Sequence, residues 1–251
     1  MAKIISFHSF RGGTGKSNIT ANVATLLAAE GRRIGVIDTD IQSPGIHVLF
    51  GLAGEEIGHA LNDYLWGKCQ IQQAAHDVTP KLGTDTNGRV FLIPSSIRAG
   101  EITRVLREGY DAQVLTRGLR SLIEALKLDV LLIDTHPGLN EETLLSIVIS
   151  HVLVIILRPD QQDYEGTGVT VEVARQLKVP RMTLVVNKVP SVFDTAAVKA
   201  KVERAYNCPV AAVLPHSDEV MALASAGIFS LRYPDHPVTA ALRQIAVSLV
   251  G

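Results

Sequence analysis

The sequence of 251 residues has few of the features that mark extracellular or nucleic-acid-binding proteins. It contains two cysteines, Cys69 and Cys208, which are too few for a disulfide framework and lack the CxxC spacing of a zinc or redox site. They predict reduced thiols in a cytosolic protein. The 24 basic residues nearly balance the 25 acidic ones, so the net charge of −1 provides no overall positive field for nucleic acid or anionic lipid.

Long hydrophobic runs are also lacking. The longest, residues 144–157, is interrupted by Ser146, Ser150 and His151 and falls short of the ~18 residues that span a bilayer. It predicts the end of a buried helix followed by a buried strand. The first residues contain no signal-peptide core, so we expect the protein to stay in the cytoplasm.

Short β-rich runs alternate with helical patterns along the whole chain. Several of these runs are apolar throughout, which is typical of strands covered by helices on both faces. We therefore expect a single α/β domain over residues 1–251, with a doubly wound, mainly parallel sheet and helices on both faces. The predicted strands cover residues 3–9, 34–37, 90–93, 130–133, 151–157, 182–186 and 209–214, and the predicted helices cover residues 17–30, 116–127, 160–177, 195–205 and 238–250.

A glycine-rich loop, residues 10–17, directly follows the first predicted strand and precedes a helix. The usual phosphate-loop pattern has glycine where this chain has Phe10, so the match is to a variant. The three glycines of the loop allow backbone N–H groups to wrap around a polyphosphate at the start of the helix. In such a loop Lys16 would bridge the β- and γ-phosphates, and the Ser17 hydroxyl would ligate Mg²⁺.

Three carboxylates follow two other predicted strands. Asp38 and Asp40 end the second strand, and Asp134 ends a later apolar strand. An acid in such a place supports the metal or positions a water, although a single one is often a helix cap or turn residue. We assign Asp134 to the metal region. Gly138 would bring its N–H close to the γ-phosphate. His136, between Asp134 and Gly138, could touch the site but is interpreted as a turn residue without a chemical role.

The base of a nucleotide would lie near the ends of two late strands. Asn187 could hydrogen-bond a purine edge through its amide. Guanine-specific GTPases place an aspartate at the position of Pro190, so ATP is the expected nucleotide. Pro215 would either wall the base or form a turn.

Taken together, these motifs resemble the MinD/ParA family of ATPases, which are P-loop NTPases of the SIMIBI class with a deviant phosphate loop. The similarity runs from Lys3 to Val250 and is carried by residues 11–17, 38–40, 134–138, 186–188 and 213–220. It implies that two subunits sandwich two ATP molecules, and that a lysine before the glycine pair reaches the partner's phosphates. Arg11 holds that position here and would act in trans or pair locally. The resemblance also gives Asp40 the water-orienting role and Asp38 a place in the metal region.

The function implied by the resemblance is an ATP-dependent positioning switch. It would bind ATP and Mg²⁺, form a homodimer, engage an activating or cargo protein and hydrolyse ATP slowly to ADP and phosphate. A P-loop ligase or kinase acting on a small metabolite and a non-hydrolysing nucleotide-bound scaffold stay open as alternatives. Iron–sulfur branches look similar in the ATP core but use paired cysteines, and neither cysteine here follows a metal-facing strand.

Two further segments bear on other partners. The last predicted helix carries Arg243 as its one cation, so direct membrane binding is not expected. Five arginines within residues 98–120 are diluted by three acids and indicate a solvated face, which leaves non-specific DNA binding possible.

The catalytic candidates are Lys16, Asp40 and Arg11; the metal candidates are Ser17, Asp38 and Asp134; the nucleotide-binding candidates are Arg11, Gly12, Gly13, Thr14, Gly15, Lys16, Ser17, Asn18, Gly138, Asn187 and Pro215.

Overall fold

One eight-stranded sheet organises residues 2–83 and 86–251, which are the residues that the computed structural model describes. Its order is β3-β4-β2-β5-β1-β6-β7-β8, and every pairing is parallel except that of β3 with β4. The predicted doubly wound, mainly parallel sheet is confirmed. The strands are β1 (Lys3–His8), β2 (Arg33–Asp38), β3 (His76–Asp77), β4 (Arg89–Ile93), β5 (Val130–Asp134), β6 (Val152–Leu157), β7 (Met182–Val189) and β8 (Val210–Pro215).

The helices flank the sheet and include all five that the sequence predicts. The bounds agree closely except for α5, which starts four residues early because the Asp111 side chain accepts a hydrogen bond from the Gln113 N–H at 2.7 Å and caps it. The α-helices are α1 (Lys16–Ala29), α2 (Ile46–Leu49), α3 (Leu61–Leu65), α4 (Ala99–Glu108), α5 (Ala112–Leu126), α6 (Glu141–Val148), α7 (Gln161–Gln176), α8 (Thr195–Tyr206), α9 (Asp218–Leu223), α10 (Phe229–Arg232) and α11 (Pro237–Val250), and short 3₁₀ helices cover Gly54–Glu56, Ile71–Ala74 and Thr79–Leu82.

Both faces of the sheet are buried. On β5, Val130 and Leu132 pack in the cluster beneath α1 and α11, whereas Leu131 and Ile133 pack in the cluster on the opposite face. Strands covered in this way have no polar face, which explains why their sequences are apolar throughout. Helix α11 contributes Leu242 and Leu249 to the first cluster.

The parallel order brings the carboxyl ends of the central strands to one edge of the sheet. β1 lies between β5 and β6, and β5 lies between β1 and β2. Asp38, the last residue of β2, is in register with Asp134, the last residue of β5. The loops after β1, β2 and β5 therefore meet, as expected for a site outside the carboxyl ends of a doubly wound sheet. Within the two described ranges, no helix combines the length and apolarity that crossing a membrane requires.

Candidate nucleotide-binding site

The loop between β1 and α1 surrounds a cleft of about 390 Å³. Gly13 and Gly15 have φ angles of 76° and 93°, a backbone region that favours glycine. Lys16 begins α1, so the N-terminal end of this helix lies at the cleft. Of the predicted site residues, the cleft wall contains Gly12, Gly13, Thr14, Gly15, Lys16, Ser17, Asn18 and Asp40.

The unusual Phe10 packs against helix α7. Its ring lies so close to Gly166 that a Cβ at Gly166 would overlap it. A bulky residue in the place of the customary glycine is thus accommodated by a missing side chain on the neighbouring helix. The predicted loop followed by a helix forms despite this departure from the usual pattern.

The end of strand β7 is hydrogen-bonded to the phosphate loop. A bulge at the end of β7 interrupts its pairing with β8, and Lys188 there adopts a positive φ of 58°. The Asn187 Nδ2 donates to the Thr14 carbonyl at 2.8 Å, and the Lys188 Nζ donates to the Gly13 carbonyl at 2.8 Å. Asn187 is therefore engaged with the loop, and its predicted contact with a purine remains a prediction.

A buried ion pair joins Lys16 of the cleft wall to Asp134. The Lys16 Nζ is 2.8 Å from Asp134 Oδ1, with side-chain exposures of 7% and 1%. Burial opposes the ammonium charge, but Asp134, Asp40 and Asp38 outweigh it and raise the pKa of Lys16. Lys16 is therefore held in its charged form, as a phosphate contact requires.

Asp38 lies beside this pair and is fully buried. Its carboxylate accepts the N–H of Asp40 at 3.0 Å and the N–H of Gly45 at 3.3 Å. Burial, followed by the negative charge of Asp134, raises the pKa of Asp38 well above its ordinary value. The two neighbouring carboxylates thus favour additional positive charge nearby.

These groups fit Mg²⁺ in their chemistry. The metal prefers hard oxygen ligands and retains several waters, and carboxylates and a hydroxyl are such ligands. Ser17 lies on the cleft wall, whereas Asp38 and Asp134 lie below it. Among residues 2–83 and 86–251, no group of three or more His, Cys, Asp or Glu side chains is placed to hold a metal.

His136 contacts Asp40 across the cleft. Its Nδ1 is 2.6 Å from Asp40 Oδ1, and the Ser43 N–H donates to the same oxygen at 3.1 Å. Both His136 and Asp40 line the cleft. The sequence interpretation of His136 as a turn residue missed this contact, because 96 positions separate the two residues. The signal that could have found it is that both residues follow strands that end side by side.

Arg11 lies at the rim of the cleft and pairs within its own chain. Its Nη1 is 3.5 Å from Asp160 and 3.6 Å from Asp163. Asp160 also caps α7 by accepting the Asp163 N–H at 3.0 Å. The local pairing that the sequence left open is therefore present, while the contact in trans remains a prediction.

Gly138 lies beside the phosphate loop with a φ of 85°. Its N–H donates to the Ser9 carbonyl at 3.0 Å. The predicted contact of this N–H with a γ-phosphate would require that bond to be exchanged.

A second cavity of about 280 Å³ adjoins the phosphate loop. Asn18, Asn187 and Pro215 line it together with apolar side chains from β8 and α9. A largely apolar cavity with a few amides suits a flat heterocyclic base. This places the predicted base-contacting residues around one space, with Gly15 in the walls of both cavities.

The two cysteines lie apart in different apolar clusters. Cys69 packs with the side chains under β2 and β5, and Cys208 is buried just before β8. Burial raises the pKa of both thiols, which disfavours the thiolate that binds metals.

Comparison with known proteins identifies the family of this chain. A family model described as ParA, NUBPL iron-transfer P-loop NTPase, matches residues 1–250. An uncharacterised ATP-binding protein of Methanocaldococcus jannaschii is 30% identical over all of this chain and 89% of its own length. A flagellum site-determining protein of Helicobacter pylori is 32% identical over 63% of this chain and 49% of its own length. An iron-sulfur cluster carrier protein of Aquifex aeolicus is 26% identical over 97% of this chain and 66% of its own length.

Solved structures share the fold along the whole chain. The cell division ATPase MinD of Pyrococcus furiosus has a TM-score of 0.83 and 21% identity, covering 99% of this chain and 98% of its own. The MinD protein of Pyrococcus horikoshii, solved with Mg-ADP, has a TM-score of 0.81 and 20% identity, covering 99% of this chain and 96% of its own. With the family model matched from residue 1 to residue 250, the chain belongs to the ParA family of P-loop NTPases and has the MinD/ParA type of fold.

Proposed function

We propose that this protein is an ATP-dependent switch of the MinD/ParA type, which hydrolyses ATP and controls where a cargo is located in the cell. The observation that carries the proposal is the single cleft in which the glycine loop, Lys16 and Asp40 come together. P-loop NTPases catalyse mainly by positioning groups and compensating charge, and this cleft contains groups for both tasks.

The proposed reaction transfers the γ-phosphoryl group of ATP to water. The water oxygen bonds to the γ-phosphorus, the bond to the bridging oxygen breaks, and ADP and phosphate leave with the released proton. Asp40 would orient the water, and Lys16 would stabilise charge on the phosphates. Mg²⁺, when bound, would neutralise phosphate charge, with Ser17 at the cleft wall and Asp38 and Asp134 below it.

Binding of ATP would drive two subunits together. Arg11 of the partner subunit would then leave Asp160 and reach across to the phosphates, as an arginine finger acting in trans. A guanidinium can bind phosphate oxygens bidentately, which suits this task. An activating or cargo protein would recognise the dimer. Non-specific DNA remains a weaker candidate partner, because Glu101 and Glu108 pair with two of the five arginines counted in the sequence.

An iron–sulfur carrier is the second candidate function, and the names of the family model and of the Aquifex relative favour it. The separation of Cys69 and Cys208 into different apolar clusters argues against a cluster site built from both. Anaerobic reconstitution with iron and sulfide distinguishes the two functions. A stoichiometric cluster that is lost in both Cys69→Ser and Cys208→Ser would favour the carrier.

The switch itself is tested by light scattering with purified protein. Asp40→Ala should bind ATP and accumulate as a dimer, because hydrolysis no longer releases the subunits, whereas ADP should leave it monomeric. A variant that stays monomeric with ATP would contradict the switch. ATP turnover by the wild type without an added small-molecule acceptor would exclude the metabolite kinase or ligase. If the wild type shows no turnover even with its protein partner present, the non-hydrolysing scaffold is the function that stands.

A further inference from the structure

We infer that His136 is the positioning residue that fixes Asp40 for attack by water, an inference that rests on the proposed hydrolysis of ATP. The sequence favours no chemical role for His136, but the structure places it against Asp40, which lines the cleft together with the phosphate loop.

The contact fixes one particular oxygen of Asp40. Oδ1 is held by the His136 Nδ1 at 2.6 Å and by the Ser43 N–H at 3.1 Å. In the part of the chain that the structure describes, no group donates to Oδ2. Two bonds on one oxygen set the plane of the carboxylate, and they leave the other oxygen free to accept a hydrogen bond from a water.

His136 is the donor in its hydrogen bond to Asp40. An ionised carboxylate has only acceptors, so Nδ1 must carry the proton in this bond. The other titratable groups near the pair are His8, Lys16, Asp38 and Glu142. Burial and the charge of Lys16 lower the pKa of His8 to about 3, so His8 is neutral and adds no competing positive charge. Asp40 is only 13% exposed and His136 21%, which limits competition from bulk water.

A fixed carboxylate matters because hydrolysis depends on orientation more than on covalent chemistry. Free rotation of Asp40 would spread its Oδ2 over many positions, of which few face the γ-phosphate. The effect of losing His136 should therefore fall on kcat, while the affinity for ATP, set by the glycine loop and Lys16, should change little.

Three substitutions separate positioning from a merely structural role. His136→Asn keeps an N–H near the place of Nδ1, His136→Gln puts its amide near the place of Nε2, and His136→Ala removes both. We expect kcat for ATP to fall about 10-fold to 100-fold in His136→Ala, to recover largely in His136→Asn and to stay low in His136→Gln. His76→Ala, which removes a histidine hydrogen-bonded to the His59 carbonyl at the sheet edge, is the matched control.

The measurements are steady-state ATP hydrolysis, ATP affinity by calorimetry and thermal unfolding of each variant. Unchanged kcat in His136→Ala, or equal activity in the Asn and Gln variants, would overturn the inference. The proposed function would still stand in that case, provided that the wild type hydrolyses ATP. If the wild type itself shows no turnover, the proposed hydrolysis and this inference fail together. Should His136→Ala not fold, the comparison of Asn with Gln still decides.

Discussion

Two ion pairs at the candidate site differ in how deeply they are buried. The Lys16 and Asp134 pair is buried, with both side chains nearly inaccessible, whereas Arg11 and Asp160 lie at the rim with about two-fifths of each side chain exposed, although Arg11 also lies 3.6 Å from the buried Asp163. Removing one partner of a buried pair leaves an uncompensated charge in a poor solvent, while an exposed pair exchanges easily with water. The buried pair therefore fixes the site, and the rim pair can be broken when a better partner for Arg11 arrives.

The largest effect is expected for Lys16→Ala. We expect it to lower the free energy of unfolding by about 3–5 kcal/mol, because Asp134 would remain buried without its cation. ATP binding should be abolished as well. Urea denaturation and calorimetry measure the two effects, and Lys199→Ala, an exposed residue on α8, is the control. Unchanged ATP affinity in Lys16→Ala would refute the assignment of the phosphate loop.

The stability of the protein should depend on pH through the buried His8, which lies near Lys16. The pKa of His8 is lowered to about 3 in the folded protein by burial and then by Lys16, so the unfolded chain binds the proton more readily below about pH 6.5. His8 should therefore reduce stability by about 1.4 kcal/mol per pH unit as the pH falls from 6.5 towards 4. His8→Asn should lose this part of the pH dependence. Identical pH profiles of unfolding for the two proteins would show that His8 titrates normally.

The third prediction concerns the rim pair. Arg11→Ala should change the free energy of unfolding by at most about 1 kcal/mol, because Arg11 and Asp160 are exposed and the buried Asp163 keeps its contact with Arg158 at 3.1 Å. Hydrolysis should nevertheless fall by a factor on the order of 1,000 if Arg11 acts as an arginine finger. Urea denaturation and steady-state ATP turnover measure these two quantities. A large loss of stability with little loss of turnover would reverse the comparison.

Mixed dimers test whether Arg11 acts in trans. A dimer of one Arg11→Ala subunit and one Asp40→Ala subunit contains one composite site with both groups and one site with neither. If Arg11 acts in trans, each mixed dimer should have up to half of the activity of a wild-type dimer, whereas the two parent proteins stay inactive. Failure of the mixture to hydrolyse ATP, with dimers present by light scattering, would exclude the role in trans.

Much of the architecture could be predicted because it depends on local patterns. The apolar runs marked the buried strands, the glycine loop marked the start of α1, and Asp38 and Asp134 marked the strand ends that meet beside it. β3 was missed because two residues of antiparallel edge strand, His76 and Asp77, leave no periodic pattern. The start of α5 was missed because capping by Asp111 extends the helix beyond its apolar stripe.

The parts of the site that escaped prediction depend on partners far away in the sequence. Asp40 with His136 and Arg11 with Asp160 are joined only by the order of the strands. The fit of Phe10 depends on Gly166, whose lack of a side chain has meaning only once α7 lies beside the loop. Such pairings follow from the fold, so they become visible after the sheet order is known.

The attachment of the phosphate loop to β7 has a consequence for how the protein would distinguish ATP from ADP. Asn187 and Lys188 bond the end of β7, beside the second cavity, to the phosphate loop, so ATP and ADP would contact this part of the site in the same way. The presence or absence of the γ-phosphate should then change the contacts of the segments after β2 and β5, which contain Asp40 and His136. Hydrogen exchange should accordingly be slow and nucleotide-independent around Thr14, and should differ between ATP and ADP after β2 and β5.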